Sequence, residues 1–118
     1  YDKALELLYG VSFKNMTYHL RAKLIQLQIY YAQFDDIAFS SAIEAFRMYI
    51  KRNKKLSTYL KEVYLNFLKT VKKVERLRAK KDYISFKEFK KEKTQIEAYI
   101  EEAKVANLSW VQEITAAL

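Results

Sequence analysis

The sequence predicts an all-α fold of antiparallel helical hairpins, about six helices stacked as a right-handed solenoid fragment. Three observations predict it. The 118 residues contain one glycine and no proline, and sheet proteins need such residues for tight turns. Apolar residues recur at spacings of three and four along most of the chain. Hydrophobic residues make up 51% and charged residues 31%, enough for a core under a solvated surface.

The elements follow from the periodicity. A first helix is predicted over about 3–13, with Leu5, Leu8 and Val11 on one face. A second spans about 17–34, with a stripe of Leu20, Leu24, Leu27 and Tyr31. A third spans about 36–52 and carries two stripes. Phe39, Ile43, Phe46 and Ile50 form one; Ala38, Ala42, Ala45 and Tyr49 form the other, small enough to admit a close neighbour. A fourth spans about 58–80, roughly 34 Å at 1.5 Å per residue, with Leu60, Val63, Tyr64, Phe67, Val71 and Val74 on one side. A fifth spans about 86–106, with Phe89, Ile96, Ile100 and Ala103 inward, and a sixth begins at Trp110.

Polar caps replace glycine and proline at the breaks. Ser85 with Glu88, and Ser109 with Gln112, match the capping-box spacing. Asp35 and Asp36 suit a helix start. Asn15, Asn53 and Asn107 are expected just past helix ends, where asparagine tolerates the left-handed conformation.

These asparagines also mark a repeat. Ala4-Leu5-Glu6-Leu7-Leu8 returns as Ala42-Ile43-Glu44-Ala45-Phe46, an offset of 38, and Ile43-Glu44-Ala45-Phe46 returns as Ile96-Glu97-Ala98-Tyr99, an offset of 53. After each asparagine, and in the case of Asn53 two lysines later, comes an apolar residue, then hydroxyl and aromatic: Met16-Thr17-Tyr18, Leu56-Ser57-Thr58-Tyr59, and Leu108-Ser109-Trp110. The hydroxyl would cap the helix while the apolar residue packs back as a staple. One domain is expected over 1–118, with hairpins at about 17–53 and 57–106 and partial helices at both ends. The chain opens at Tyr1 inside a helical pattern, so it reads as a segment of a longer protein.

On these residues the chain resembles tetratricopeptide-like helical-repeat proteins of bacteria. Over residues 4–77, Tyr18 stands where the first helix of a repeat has its early aromatic, Ala22 follows it, and Ala42 with Phe46 keep the Ala-x-x-x-Phe spacing of the second helix. The proline that usually follows the second helix is absent, Ala22 replaces a glycine, and the helices are longer than a standard repeat allows. The resemblance implies a scaffold or partner-binding role without a particular ligand.

Charge narrows the candidate surfaces. The net charge is +8, but residues 51–93 hold sixteen basic and five acidic groups, while 1–50 balance at zero and 94–118 carry −3. Lys69, Lys72, Lys73, Arg76 and Lys80 share one side of the fourth helix, opposite Val71 and Val74. These five, with Asn66 on the same helix and Tyr30 and Tyr31 on the second, are the candidate partner-binding residues. Adjacent Tyr30 and Tyr31 cannot both face one neighbour, so one of them is the groove candidate. A protein or peptide partner is expected, with nucleic acid or another polyanion on 51–93 as the alternative. A solvated helix face would show the same lysines.

No catalytic set is legible. The chain has no cysteine, which removes disulfides and thiolate chemistry. His19 is the only histidine and lacks an acidic partner at helical spacing for a metal. Glu88 and Glu92 are four apart but surrounded by lysines, which favours ion pairing. A non-enzymatic chain without cofactor or metal is expected. Every apolar run is interrupted by polar residues and falls short of a membrane span, no signal peptide is visible, and a cytoplasmic location without membrane association is expected.

Overall fold

Residues 16–118 are described by a computed structural model, and among them lie five α-helices and no strand. We label them α1 (Met16–Ala32), α2 (Asp36–Arg52), α3 (Thr58–Lys80), α4 (Phe86–Glu102) and α5 (Leu108–Ala116), with a short 3₁₀ turn at Lys81–Tyr83. The predicted first helix and Asn15 fall outside the described residues. The chain divides into two compact units, 1–48 and 49–118, the division falling within α2.

In the first unit, α1 ends two residues before the periodicity suggested. The Phe34 N–H donates to Tyr31 O and the Asp35 N–H to Tyr30 O, at 3.2 and 3.1 Å. This pair of hydrogen bonds closes a helix with a left-handed residue, and Phe34 takes that place at φ 55°. Asp35 then caps α2, its Oδ1 accepting from the Ala38 N–H at 3.1 Å. Leu20, Leu27 and Tyr31 of the expected α1 stripe are buried, Leu24 is half-buried, and Ile29 joins the core from outside the stripe. Tyr31 meets Phe39 with ring centroids 6.0 Å apart.

All four residues of the large-residue stripe on α2, Phe39, Ile43, Phe46 and Ile50, are buried. The small-residue stripe is not: Ala45 is exposed and Ala38, Ala42 and Tyr49 are half-buried. Alanine has little side-chain area with which to bind a second neighbour.

Phe34 carries a β-carbon in a conformation that costs an L-residue about 1–2 kcal/mol, and its side chain is 69% exposed. Phe34→Gly is expected to raise stability by about 0.5–1 kcal/mol once the backbone entropy of glycine is subtracted. Urea denaturation of the two chains checks this.

His19 adds a pH dependence. Burial, then the charge of Lys23 one turn away, holds its pKa below the ordinary 6.5. The unfolded chain therefore binds the proton more readily, so stability is full above pH 6.5 and falls as the pH drops through the folded value. Melting temperature is expected to decline between pH 6.5 and about 5, above the carboxylate range. His19→Gln is expected to flatten that window.

The second unit is built on α3. Ser57 caps it through the Leu60 N–H at 3.1 Å, and the preceding Leu56 is buried, as a staple requires. Asn53 does not take the expected left-handed conformation, because its Oδ1 accepts from the Lys55 N–H at 2.9 Å and turns the chain by a side-chain bond instead. Phe67, Val71 and Val74 are fully buried, and Leu68, Thr70 and Leu77 extend the core beyond the predicted stripe. The Thr70 hydroxyl is satisfied by Asn66 O at 2.7 Å.

Ser85 caps α4, its Oγ accepting from the Glu88 N–H at 3.1 Å. The helix runs antiparallel to α3. Lys81 meets Phe89, Lys80 meets Glu92, Lys73 meets Tyr99 and Asn66 meets Lys104, one number falling as the other rises. Phe89, Ile96 and Ile100 are buried as expected.

α4 stops at Glu102 rather than Ala106. Ala103 turns extended, with ψ 149°, and the chain beyond is bonded to α3. Asn66 Nδ2 donates to Lys104 O at 3.0 Å, and the Ala106 N–H donates to Val63 O at 3.2 Å. Asn107 adopts the left-handed φ of 52° and starts α5 directly. Ser109 consequently lies inside the first turn, and the expected Ser109–Gln112 capping box does not mark the start. α5 packs on both α3 and α4. Trp110 anchors it, its ring 6.2 Å from that of Phe67.

Candidate functional site

The 49–118 unit carries a groove of about 270 Å³ between α3 and α4. Leu77 and Ile96 line its apolar part, Lys73, Arg76 and Lys80 its α3 side, and Glu92 and Gln95 its α4 side. Helix geometry explains the set. Positions 73, 76, 77 and 80 follow spacings of three, one and three, so they form one strip along α3. On the antiparallel α4, positions 92, 95 and 96 form the opposing strip.

Three cations therefore face one carboxylate. Glu92 is taken by Lys80, Nζ to Oε1 at 2.6 Å, which is the ion pairing expected for this glutamate. Lys73 and Arg76 remain as the groove's uncompensated charge. Lys73 is held from behind, its Nζ 4.7 Å from the centroid of the Tyr99 ring, with Lys69 Nζ 5.6 Å from the same ring. The aromatic face attracts both ammonium groups. The Tyr99 hydroxyl in turn donates to Asn66 Oδ1 at 3.2 Å. A chain of contacts thus runs from the α4–α5 connection through Asn66 and Tyr99 to the two lysines.

The predicted site residues separate accordingly. Lys73, Arg76 and Lys80 line the groove. Lys69 stands beside it on Tyr99. Lys72 is exposed but not part of the lining. Asn66 is bonded within the unit, its Nδ2 donating to Lys104 O and its Oδ1 accepting from the Tyr99 hydroxyl. Tyr31 is a core residue beside Phe39. Tyr30 is half-buried, its hydroxyl accepting from Gln26 Nε2 at 3.4 Å, and both tyrosines belong to the 1–48 unit.

Gln95 and Tyr99 were not legible as site residues. Their signal lies in the pairing of the hairpin, where residues summing to about 172 face one another, and not in α4 read alone. Tyr83 and Phe86 were also missed. They are 87% and 73% exposed at the corner between α3 and α4, where an isolated aromatic reads as core.

A second groove of about 220 Å³ lies between α4 and α5, with Glu97 and Glu101 in its lining, and repels the anions the first would attract. Among the described residues no group of three acidic or histidine side chains is placed to hold a metal ion. No described helix is long and apolar enough to cross a membrane.

No family model matches the sequence, and neither a curated protein nor a solved structure matches it significantly.

Proposed function

We propose that this chain is a non-enzymatic interaction module whose working surface is the basic α3–α4 face, and that its partner presents clustered negative charge. The observation that carries the reading is the groove. Lys73 and Arg76 stand over an apolar floor with the one acidic side chain of the lining already paired to Lys80. An acidic protein segment fits this chemistry and suits a scaffold of tetratricopeptide-like helices. Nucleic acid is the second reading, favoured by the exposed aromatics Tyr83 and Phe86 inside the basic stretch.

Salt dependence tests the proposal. Binding of fluorescein-labelled polyglutamate and oligothymidylate is followed by anisotropy while sodium chloride is raised. A partner held on the groove cations loses affinity steeply, with a log–log slope near −0.7 for each single-strand phosphate neutralised. Affinity for both probes that ignores salt, or no affinity at low salt, would reject this face as an anion site.

A further inference from the structure

We infer that the α3–α4 hairpin binds single-stranded nucleic acid, with phosphates along Lys73 and Arg76 and bases stacked on Tyr83 and Phe86 at the corner. The inference rests on the anion reading of the groove and names the partner.

Two independent features meet on one hairpin. The first is charge: the groove cations climb α3 toward its C-terminal end, and Lys80 at that end lines the groove. The second is aromatic surface. One residue beyond Lys80 begins the 3₁₀ turn that presents Tyr83, and α4 opens on Phe86. Their exposures, 87% and 73%, are among the highest of the large hydrophobic residues described. An exposed ring offers a base a stacking partner.

The cations around the rings have the sign a backbone requires. Lys87 and Lys90 are exposed on the first turns of α4, and Lys90 Nζ lies 5.3 Å from the centroid of Phe86. Lys81 is engaged elsewhere, on Phe89 and on Leu118 O at 2.8 Å, so it is not counted. Asp82 and Glu88 are exposed at the same corner, where the exposed Lys87, Lys90 and Lys91 outnumber them, Lys80 being paired with Glu92.

Strand number separates the alternatives. An acidic peptide would use the groove cations and leave Tyr83 and Phe86 idle. Duplex nucleic acid would offer phosphates with its bases already stacked. Only an unpaired strand uses both features, because its phosphates and its base faces are accessible together.

The test uses the intact chain at low salt with three labelled probes: oligothymidylate, the same strand annealed to oligoadenylate, and polyglutamate of matched charge. Oligothymidylate is expected to bind more tightly than either of the others. Tyr83→Ser with Phe86→Ser is expected to weaken oligothymidylate at least about tenfold and to leave polyglutamate unchanged. Tyr83→Phe with Phe86→Tyr keeps both rings and is expected to retain binding, and circular dichroism shows that each variant keeps its helices. Should the serine pair unfold, Tyr83→Ser alone, in the short turn, carries the same comparison.

Equal affinity for strand and duplex, equal affinity for strand and polyglutamate, or full binding by the serine pair would overturn the stacking inference while the anion groove stood. Failure of all three probes to bind would overturn both.

Discussion

Replacing Phe67 with alanine is expected to cost about 3–5 kcal/mol, the range for removing a buried phenylalanine. Phe67 is fully buried on α3 and meets Trp110 of α5, so the cavity opens where helices of the unit meet. A domain of this size has a stability at the lower end of 5–15 kcal/mol, so much of it would be lost. Ile37→Ser provides the contrast. Ile37 is 84% exposed, and its replacement is expected to change stability by less than about 0.5 kcal/mol. Urea denaturation followed by circular dichroism measures both. Similar losses from the two would mean that Phe67 is not the centre of this core.

The second large effect is on binding. Lys73→Glu with Arg76→Glu turns the groove's net attraction for anions into repulsion. Affinity for oligothymidylate and polyglutamate at low salt is expected to fall by at least about 100-fold, and the salt slope for the single strand by about 1.4. The variants should converge at high salt, where the Debye length shrinks to about 3 Å. Lys54→Glu with Lys55→Glu makes the same change in total charge among residues that are exposed before α3. If that pair weakened binding equally, overall charge and not the groove would govern affinity. Both groove residues are exposed, so folding should survive the reversal.

Much of the fold was legible because two helices were bounded by local chemistry. The predicted limits of α2 and α3 coincide with those observed, and Asp35 and Ser57 supply their caps. The limits that shifted were set by contacts across sequence. α4 has apolar periodicity through Ala106, but the bonds from Asn66 and Val63 pull residues 104 and 106 onto α3. The repeat suggested that its asparagines act alike. Asn53 turns the chain with its side chain, whereas Asn107 does so with its backbone.

The candidate site was legible by half for a related reason. Lys73, Arg76 and Lys80 are visible in α3 alone, since helical spacing puts them on one strip. Glu92, Gln95 and Tyr99 join them only through the antiparallel register of α4. Tyr83 and Phe86 defeated the expectation that large aromatics are interior. Asn66 was grouped with the outward residues, but a part-buried amide with two internal partners in reach closes on them.

That closure gives the hairpin unequal freedom to diverge. Beyond Lys81, which is tied to Phe89 and Leu118 O, the turn from Asp82 to Ser85 ends at a cap and at exposed rings, so added residues there would extend into solvent without loosening a helix. The connection from Ala103 to Asn107 is indexed at Lys104 and Ala106 by α3, and one more residue would throw α5 out of step with the core. The corner therefore tolerates a change of length that the opposite end of the hairpin does not.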